Sequence, residues 1–176
     1  MRKKLTWVVL LGAAIGVTVL YTANAWATPA FGFVSTTLAM GGFDQIDVFN
    51  NLVPPRGTEE QHGSDVWLSL QKTKGLSDLY VQSNVWQPGG TSGWHTHPGH
   101  SLITVIEGTV TAYEGDDPAC KPTVYTRGMG FVDPGGGHVH NLRNEGGVEA
   151  RTITVQLLPA GAPRRIDAEN PKQWLF

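Results

Sequence analysis

Outside its opening segment, no stretch of this chain repeats apolar residues with the 3.6-residue period of a helix. What recurs is a short run of β-branched, aromatic and aliphatic residues, stopped each time by glycine, proline or asparagine. With 22 glycines and 11 prolines in 176 residues, breaks fall too close together for long helices. The pattern predicts an all-β sandwich or barrel. Strands are predicted at 33–38, 43–49, 66–70, 79–87, 102–106, 109–113, 123–126, 130–132, 141–144 and 148–158. Gly41-Gly42, Asn50-Asn51 and Pro88-Gly89-Gly90 read as turns, and Glu107-Gly108 reads as the turn that returns 109–113 as the hairpin partner of 102–106. In 79–87, Leu79, Val81, Ser83, Val85 and Gln87 share one face; Tyr80, Gln82, Asn84 and Trp86 share the other. The strongest strand, 148–158, places Ile153, Val155 and Leu157 on one face. The tail, 159–176, reads as irregular, with Trp174-Leu175-Phe176 docked on the domain to cover its apolar end.

The first 27 residues read as an export signal. Arg2, Lys3 and Lys4 precede an uncharged, mostly apolar run, and Ala23-Asn24-Ala25 and Ala25-Trp26-Ala27 offer small-residue cleavage sites. The alternative is an uncleaved anchor, but the run from Leu5 to Tyr21 is short for a ~20-residue span. This divides the chain into a leader, 1–27, and one domain, 28–176, secreted or otherwise extracytoplasmic and without stable membrane association after cleavage. Without the leader, ten basic residues face 15 acidic ones, a net charge of −5. That balance disfavours nucleic acid as a partner. The single cysteine, Cys120, provides no internal disulfide framework, so stability rests on a packed core.

Five of the six histidines lie in two windows, Trp94-His95-Thr96-His97-Pro98-Gly99-His100 and Pro134-Gly135-Gly136-Gly137-His138-Val139-His140. The sixth, His62, stands alone in a polar loop and reads as solvated. On an extended strand His95 and His97 point to one side, as do His138 and His140. Two such pairs facing one another would gather imidazoles around a point, which suits Zn, Cu, Fe or Ni. Asp116 and Asp117 read as a solvated hairpin tip, because two carboxylates are too few for calcium. Glu107 reads as solvated, and Trp86 and Trp94 as core packing rather than cavity mouth.

The run 89–108 resembles the first motif of the cupin superfamily: a glycine, five residues, His-x-His, three or four residues, a glutamate, six residues and a glycine. Gly89, His95, His97 and Gly108 fall in register. Gly137, His140 and Asn144 match the second half of the second motif, while Gly128, Pro134 and Gly136 match its first half one residue out of step, leaving Gly135 where the motif has proline. The resemblance covers about residues 79–158 and implies a double-stranded β-helix, the jelly-roll barrel of that superfamily. It carries His95, His97 and His140 over as metal ligands. Where the motif has its glutamate ligand this chain has Ser101, or Leu102 with the longer spacing. His100 and His138 are the candidates for the vacant place.

With export read from the leader, the resemblance implies a domain that holds a divalent transition metal (Fe, Mn, Zn, Ni or Cu) through its histidine cluster. One reading is a metal-dependent oxygenase or isomerase of a small polar molecule, with Tyr113, Tyr125 and Asp133 as the available acid–base groups. The other is a non-catalytic small-molecule-binding module with a structural metal or none. A homodimer is compatible with both.

Overall fold

The computed structural model describes residues 28–52, 67–119 and 121–171. The leader, His62, Cys120 and the Trp174-Leu175-Phe176 end lie outside the described residues, and so do the expectations placed on them. The strands are β1 (Phe31–Phe43), β2 (Asp47–Leu52), β3 (Trp67–Lys72), β4 (Ser77–Thr91), β5 (His95–Thr96), β6 (Ser101–Glu107), β7 (Thr109–Glu114), β8 (Thr123–Thr126), β9 (Gly130–Asp133), β10 (His140–Arg143), β11 (Ala150–Pro159) and β12 (Ile166–Asp167). Among the described residues there is no helix, hence none long and apolar enough to cross a membrane.

β2 and β3 pair only with one another, while the other ten strands form one ladder with two arms. One arm runs β1-β4-β11-β6-β9 and the other β12-β5-β10-β7-β8, joined where Arg143 of β10 meets Thr91 of β4. The chain alternates between them: β6 lies in the first arm, β7 and β8 in the second, β9 in the first, β10 in the second and β11 in the first. This repeated crossing is the double-stranded β-helix, or jelly roll. Between the arms, Trp86, Val105, Val110, Ala112, Leu142 and Ala150 form the main apolar core. Trp94 and Tyr113 form a second cluster with Val139 and Ala168.

The crossings correct the expected hairpin. β6 pairs with β11 and β9, and β7 with β10 and β8. Gly108 makes the corner between them, with φ +66 and a hypothetical Cβ only 2.5 Å from the Glu149 carbonyl oxygen. Three other expected turns are strand. Asn50 and Asn51 lie within β2, paired with Ser69 and Leu68 of β3. Gly41 and Gly42 stay extended because the ladder holds them opposite Leu79 and Asp78. β4 continues through Pro88-Gly89-Gly90, where Asn144 takes over the pairing: Gly89 N donates to the Asn144 carbonyl and Asn144 N to that of Gly90, both at 2.9 Å.

The predicted alternation along β4 and β11 holds, but the inner face is the polar one. Gln82, Asn84 and Trp86 of β4 and Thr152, Thr154, Gln156 and Leu158 of β11 are buried, while Ile153, Val155 and Leu157 are only half-buried on the outside. Polar groups this deep need partners, and several pair across the ladder: Asn84 Nδ2 donates to Thr154 Oγ1 at 2.9 Å and lies 3.3 Å from Thr152 Oγ1. The same outer face leaves Val34, Leu102 and Val132 exposed. The tail also departs from the irregular reading, since β12 pairs with β5 and closes the second arm.

Gly108 and Gly128 separate two costs. Both have positive φ, but a Cβ at Gly128 meets nothing within 4 Å. Gly128→Ala should therefore cost only the left-handed backbone penalty, about 1–2 kcal/mol. Gly108→Ala adds a collision with backbone and should cost clearly more in urea unfolding; equal losses would contradict this account of the corner.

Candidate metal centre

His95 and His97 reach the interior because β5 is a two-residue strand between tight bends. Gly93 (φ +68) would place a Cβ 2.2 Å from the Thr28 carbonyl oxygen, so no other residue fits the first bend without displacing backbone. Alternation then sends His95 toward the cavity and Trp94 to the other side, into the buried second cluster, where Trp94 N donates to Thr28 Oγ1 at 2.7 Å and its carbonyl accepts from Ala168 N. β10 delivers the third imidazole: His140 stands directly opposite His95 in the ladder. The two windows also touch through glycines. A Cβ on Gly135 would lie 2.1 Å from the Gly99 carbonyl oxygen, and one on Gly99 would lie 2.1 Å from that of Leu157. Gly135 has φ +66, which proline cannot adopt, and this accounts for the one-residue slip in the second motif. Asn144 clamps the far end, donating to the carbonyls of Trp86 (3.1 Å) and Val148 (2.7 Å) and accepting from Gly146 N.

The result is a compact trio. Ring centroids lie 4.3 Å apart for His95–His140, 4.8 Å for His95–His97 and 5.3 Å for His97–His140. One nitrogen from each falls within 4.8 Å of the others. Two rings are fixed by backbone: His95 Nδ1 bonds the Gly93 carbonyl at 2.8 Å, and His97 Nδ1 that of Arg164 at 2.5 Å. A carbonyl only accepts, so each Nδ1 carries the proton and each Nε2 presents a lone pair. That is the tautomer a metal-ligating histidine needs. Burial, reinforced by His140, Arg165 and His97, holds His95 well below the ordinary imidazole range. Burial also lowers His97, and pushes His140 down to about 4 against the opposing pull of Asp133. Three imidazoles held below the ordinary range, His95 and His140 buried and His97 half-buried, with two of the rings oriented by backbone, fit a transition ion.

The carboxylate beside them comes from an unexpected strand. Ser101 pairs with Asp133 across β6 and β9. Ser101 Oγ donates to Asp133 Oδ2 at 3.5 Å, and the same oxygen lies 3.6 Å from His97 Nε2. Asp133 Oδ1 lies 3.6 Å from His140 Nδ1, and the side chain is 4% exposed. A negative group adjoins the imidazoles although the motif's own position carries a serine. The candidates for that place separate. His138 joins Asp133 and His140 but not the trio. His100 is a correction: it lines a different pocket, with Leu76, Leu157 and Leu158. Of the other acid–base candidates, Tyr113 donates to Glu145 at 2.5 Å, and burial together with that carboxylate pushes it up to about 12. Tyr125 stacks on Phe131 at 4.2 Å. Neither lines the cavity at the trio.

That cavity holds about 120 Å3, room for roughly four waters at ~30 Å3 each. Gln82, Asn84, Thr154 and Gln156 make its polar wall, Phe33, Trp86, Ile103 and Leu142 its apolar one, and Arg164 and Arg165 add positive charge. Trp86 thus serves core and cavity together, whereas Trp94 packs only in the second cluster. Sequence reading missed the two arginines and Gln156, because the tail gave no periodicity and a buried glutamine leaves no signature; the adjacent Arg164-Arg165 pair was the only cue.

The depressed histidines make metal-free stability depend on pH. Below about 6.5 the unfolded chain binds protons that these rings refuse. Stability is therefore full at pH 7 and falls with pH toward about 4, by about 1.4 kcal/mol per pH unit for each histidine involved. Urea unfolding in chelator at pH 7.5, 6 and 5 measures this, and a flat profile from 6.5 to 5 would contradict the depressed trio.

The family model described as the cupin domain matches residues 84–156. No curated protein sequence matches this chain significantly. Among solved structures, an uncharacterized conserved protein with a double-stranded β-helix domain from Klebsiella pneumoniae is 25% identical, over 52% of this chain and 75% of that one, with a TM-score of 0.44. A cupin domain from Bordetella pertussis is 23% identical over 45% and 80%, with a TM-score of 0.38. Oxalate oxidase in complex with the substrate analogue glycolate is 24% identical over 51% of this chain and 45% of that one, with a TM-score of 0.43. This chain thus spans under half of that enzyme's length. The segment that matches the cupin domain opens in β4 and closes in β11, enclosing both histidine windows and the crossings between the arms: residues 84–156 of this chain are a cupin domain.

Proposed function

We propose that this protein binds a divalent transition ion through His95, His97 and His140 and works on a small polar, anionic molecule in the adjoining cavity, as an oxygenase or isomerase. The observation that carries this is the locked tautomer: two of the three imidazoles have Nδ1 tied to backbone carbonyls, leaving Nε2 for an ion. Three histidines leave coordination positions open. The ion would supply Lewis acidity or one-electron chemistry there, with Fe, Mn, Zn, Ni and Cu all compatible with the donor set. The chain's own residues supply the rest. Arg164 and Arg165 attract an anion; Gln82, Asn84 and Thr154 offer hydrogen bonds; Trp86, Phe33 and Leu142 exclude water. Asp133, buried and 3.6 Å from two of the rings, is a carboxylate beside the trio, set behind Ser101 and outside the cavity lining.

The second reading, a non-catalytic binding module, gains from the placement of Tyr113 and Tyr125 away from the cavity, which leaves few groups for proton transfer. We also propose export, on the strength of the basic-then-apolar opening of the sequence.

Metal analysis of the purified chain beside His95→Ala and His97→Ala tests the centre: each variant should bind its ion at that centre at least 100-fold more weakly, since loss of a mere supporting partner already costs 10–100-fold. Unchanged content and affinity in both would end the metal reading. Arg165→Ala, with metal content intact, should weaken binding of small carboxylates by about 10-fold, the scale of one charged hydrogen bond. Oxygen uptake or product formation across a panel of such molecules separates enzyme from binder.

A further inference from the structure

Asp133 presents its two oxygens to different histidines. Oδ2 faces His97 Nε2, as described. Oδ1 accepts from Gly135 N at 3.0 Å and lies 3.6 Å from His140 Nδ1 and 3.9 Å from His138 Nδ1. Both of those nitrogens are buried atoms that make no hydrogen bond. His140 as a residue is 4% exposed, and the nearby His138 carbonyl favours its charged form without forming a well-shaped bond. Distances of 3.6–3.9 Å are too long for N–H···O bonds. They approach the separation of two donors on one ion: ligands about 2.1 Å from zinc at tetrahedral angles stand roughly 3.4 Å apart.

An independent feature points the same way. The other nitrogen of His138, Nε2, lies 3.3 Å from Glu114 Oε2 and 3.3 Å from Asp116 Oδ1. A carboxylate behind the far nitrogen is how a metal-ligating imidazole is commonly oriented and made more basic. Nitrogens facing the ion and carboxylates facing away are thus both in place.

We propose that Asp133, His138 and His140 form a second metal-ion position, beside the three-histidine centre and separate from it, selective for a borderline divalent ion such as Zn(II). His140 belongs to both sets. With Nδ1 engaged here, Nε2 remains for His95 and His97, and simultaneous occupancy releases the last ring proton of His140 to solvent. His138, with its side chain 20% exposed, lies on the accessible side. Glu114 and Asp116 add the negative charge that draws a cation toward it.

The test uses the full chain, stripped with chelator and titrated with Zn(II), with Co(II) absorption as a second probe of bound metal. The wild type should bind two ions, His138→Ala one, His97→Ala one, and the double variant none. His138→Gln, which keeps bulk at the position, should behave as His138→Ala, and thermal melts of the metal-free variants report their folding. One ion in the wild type and still one in His138→Ala and His138→Gln overturns the second position while leaving the three-histidine centre standing. One ion in the wild type, retained in His97→Ala and lost in His138→Ala, supports the second position and removes the first. Two ions in the wild type and two in the His138 variants overturns the assignment to these residues.

Discussion

His95 and His140 face one another in a strand pairing that involves very few residues. β5 is two residues long, and its register with β10 consists of that single pair. So short a ladder cannot hold itself, and its position is set from outside. Gly93 bends against Thr28, Gly99 fits under Leu157, and Gly135 packs on Gly99. On the open side, Asp167 of β12 pairs with His95. Remove any of these supports and the imidazoles lose the spacing that makes three rings one donor set. Glycine is required there for a steric reason, because at each contact a Cβ would lie about 2.1–2.2 Å from a carbonyl oxygen.

A second constraint is a chain of polar contacts that begins at His97 Nδ1 and ends beside His97 Nε2. His97 Nδ1 bonds the Arg164 carbonyl, which also accepts from Gln156 Nε2 at 3.2 Å. The same Gln156 nitrogen lies 3.3 Å from Ser101 Oγ, which donates to Asp133 Oδ2, which faces His97 Nε2. Buried polar networks are costly when a member lacks a partner, and here Gln156 Nε2 is bonded while Gln156 Oε1 is buried without a hydrogen-bond partner. This network gathers residues from β6, β9, β11 and the tail, so the orientation of His97 reports on the whole barrel. It also gives the polar inner face a purpose: Gln156 and Ser101 are buried because they orient other groups, while much of the apolar packing is displaced to the core around Trp86 and Val105.

Much of this was legible in the chain. The two His-x-His windows, the short strands and their alternation follow from residue types and spacing, and β3, β8, β9 and β11 fall close to their predicted limits. What was not legible depends on partners distant in sequence. Alternation along β11 shows that Ile153, Val155 and Leu157 share a face, but not that the barrel interior lies on the opposite side. Gly41-Gly42 and Pro88-Gly89-Gly90 carry local turn chemistry, yet ladder contacts to β4 and Asn144 keep them in strand. Glu107-Gly108 does turn the chain, but into the opposite arm, because Gly108 fits against Glu149 and Ala150. Asp133 could be named but not placed, since its closeness to His97 depends on the pairing of β6 with β9.

That pairing bears on what the departure at Ser101 means. Taken by position alone, the loss of the motif's glutamate leaves the imidazoles without a negative partner. In the folded chain Ser101 and Asp133 are cross-strand neighbours, so the charge is carried one strand over and the serine becomes its hydrogen-bond donor. The relocation has a consequence that a direct replacement would lack. A carboxylate on β9 is followed at once by the turn that leads to His138 and His140, and so stands where it can address both histidine sets, one oxygen to each. Position-by-position comparison scores the site as incomplete. Physical neighbourhood shows a carboxyl group beside the rings, moved to a place from which it lies against both windows.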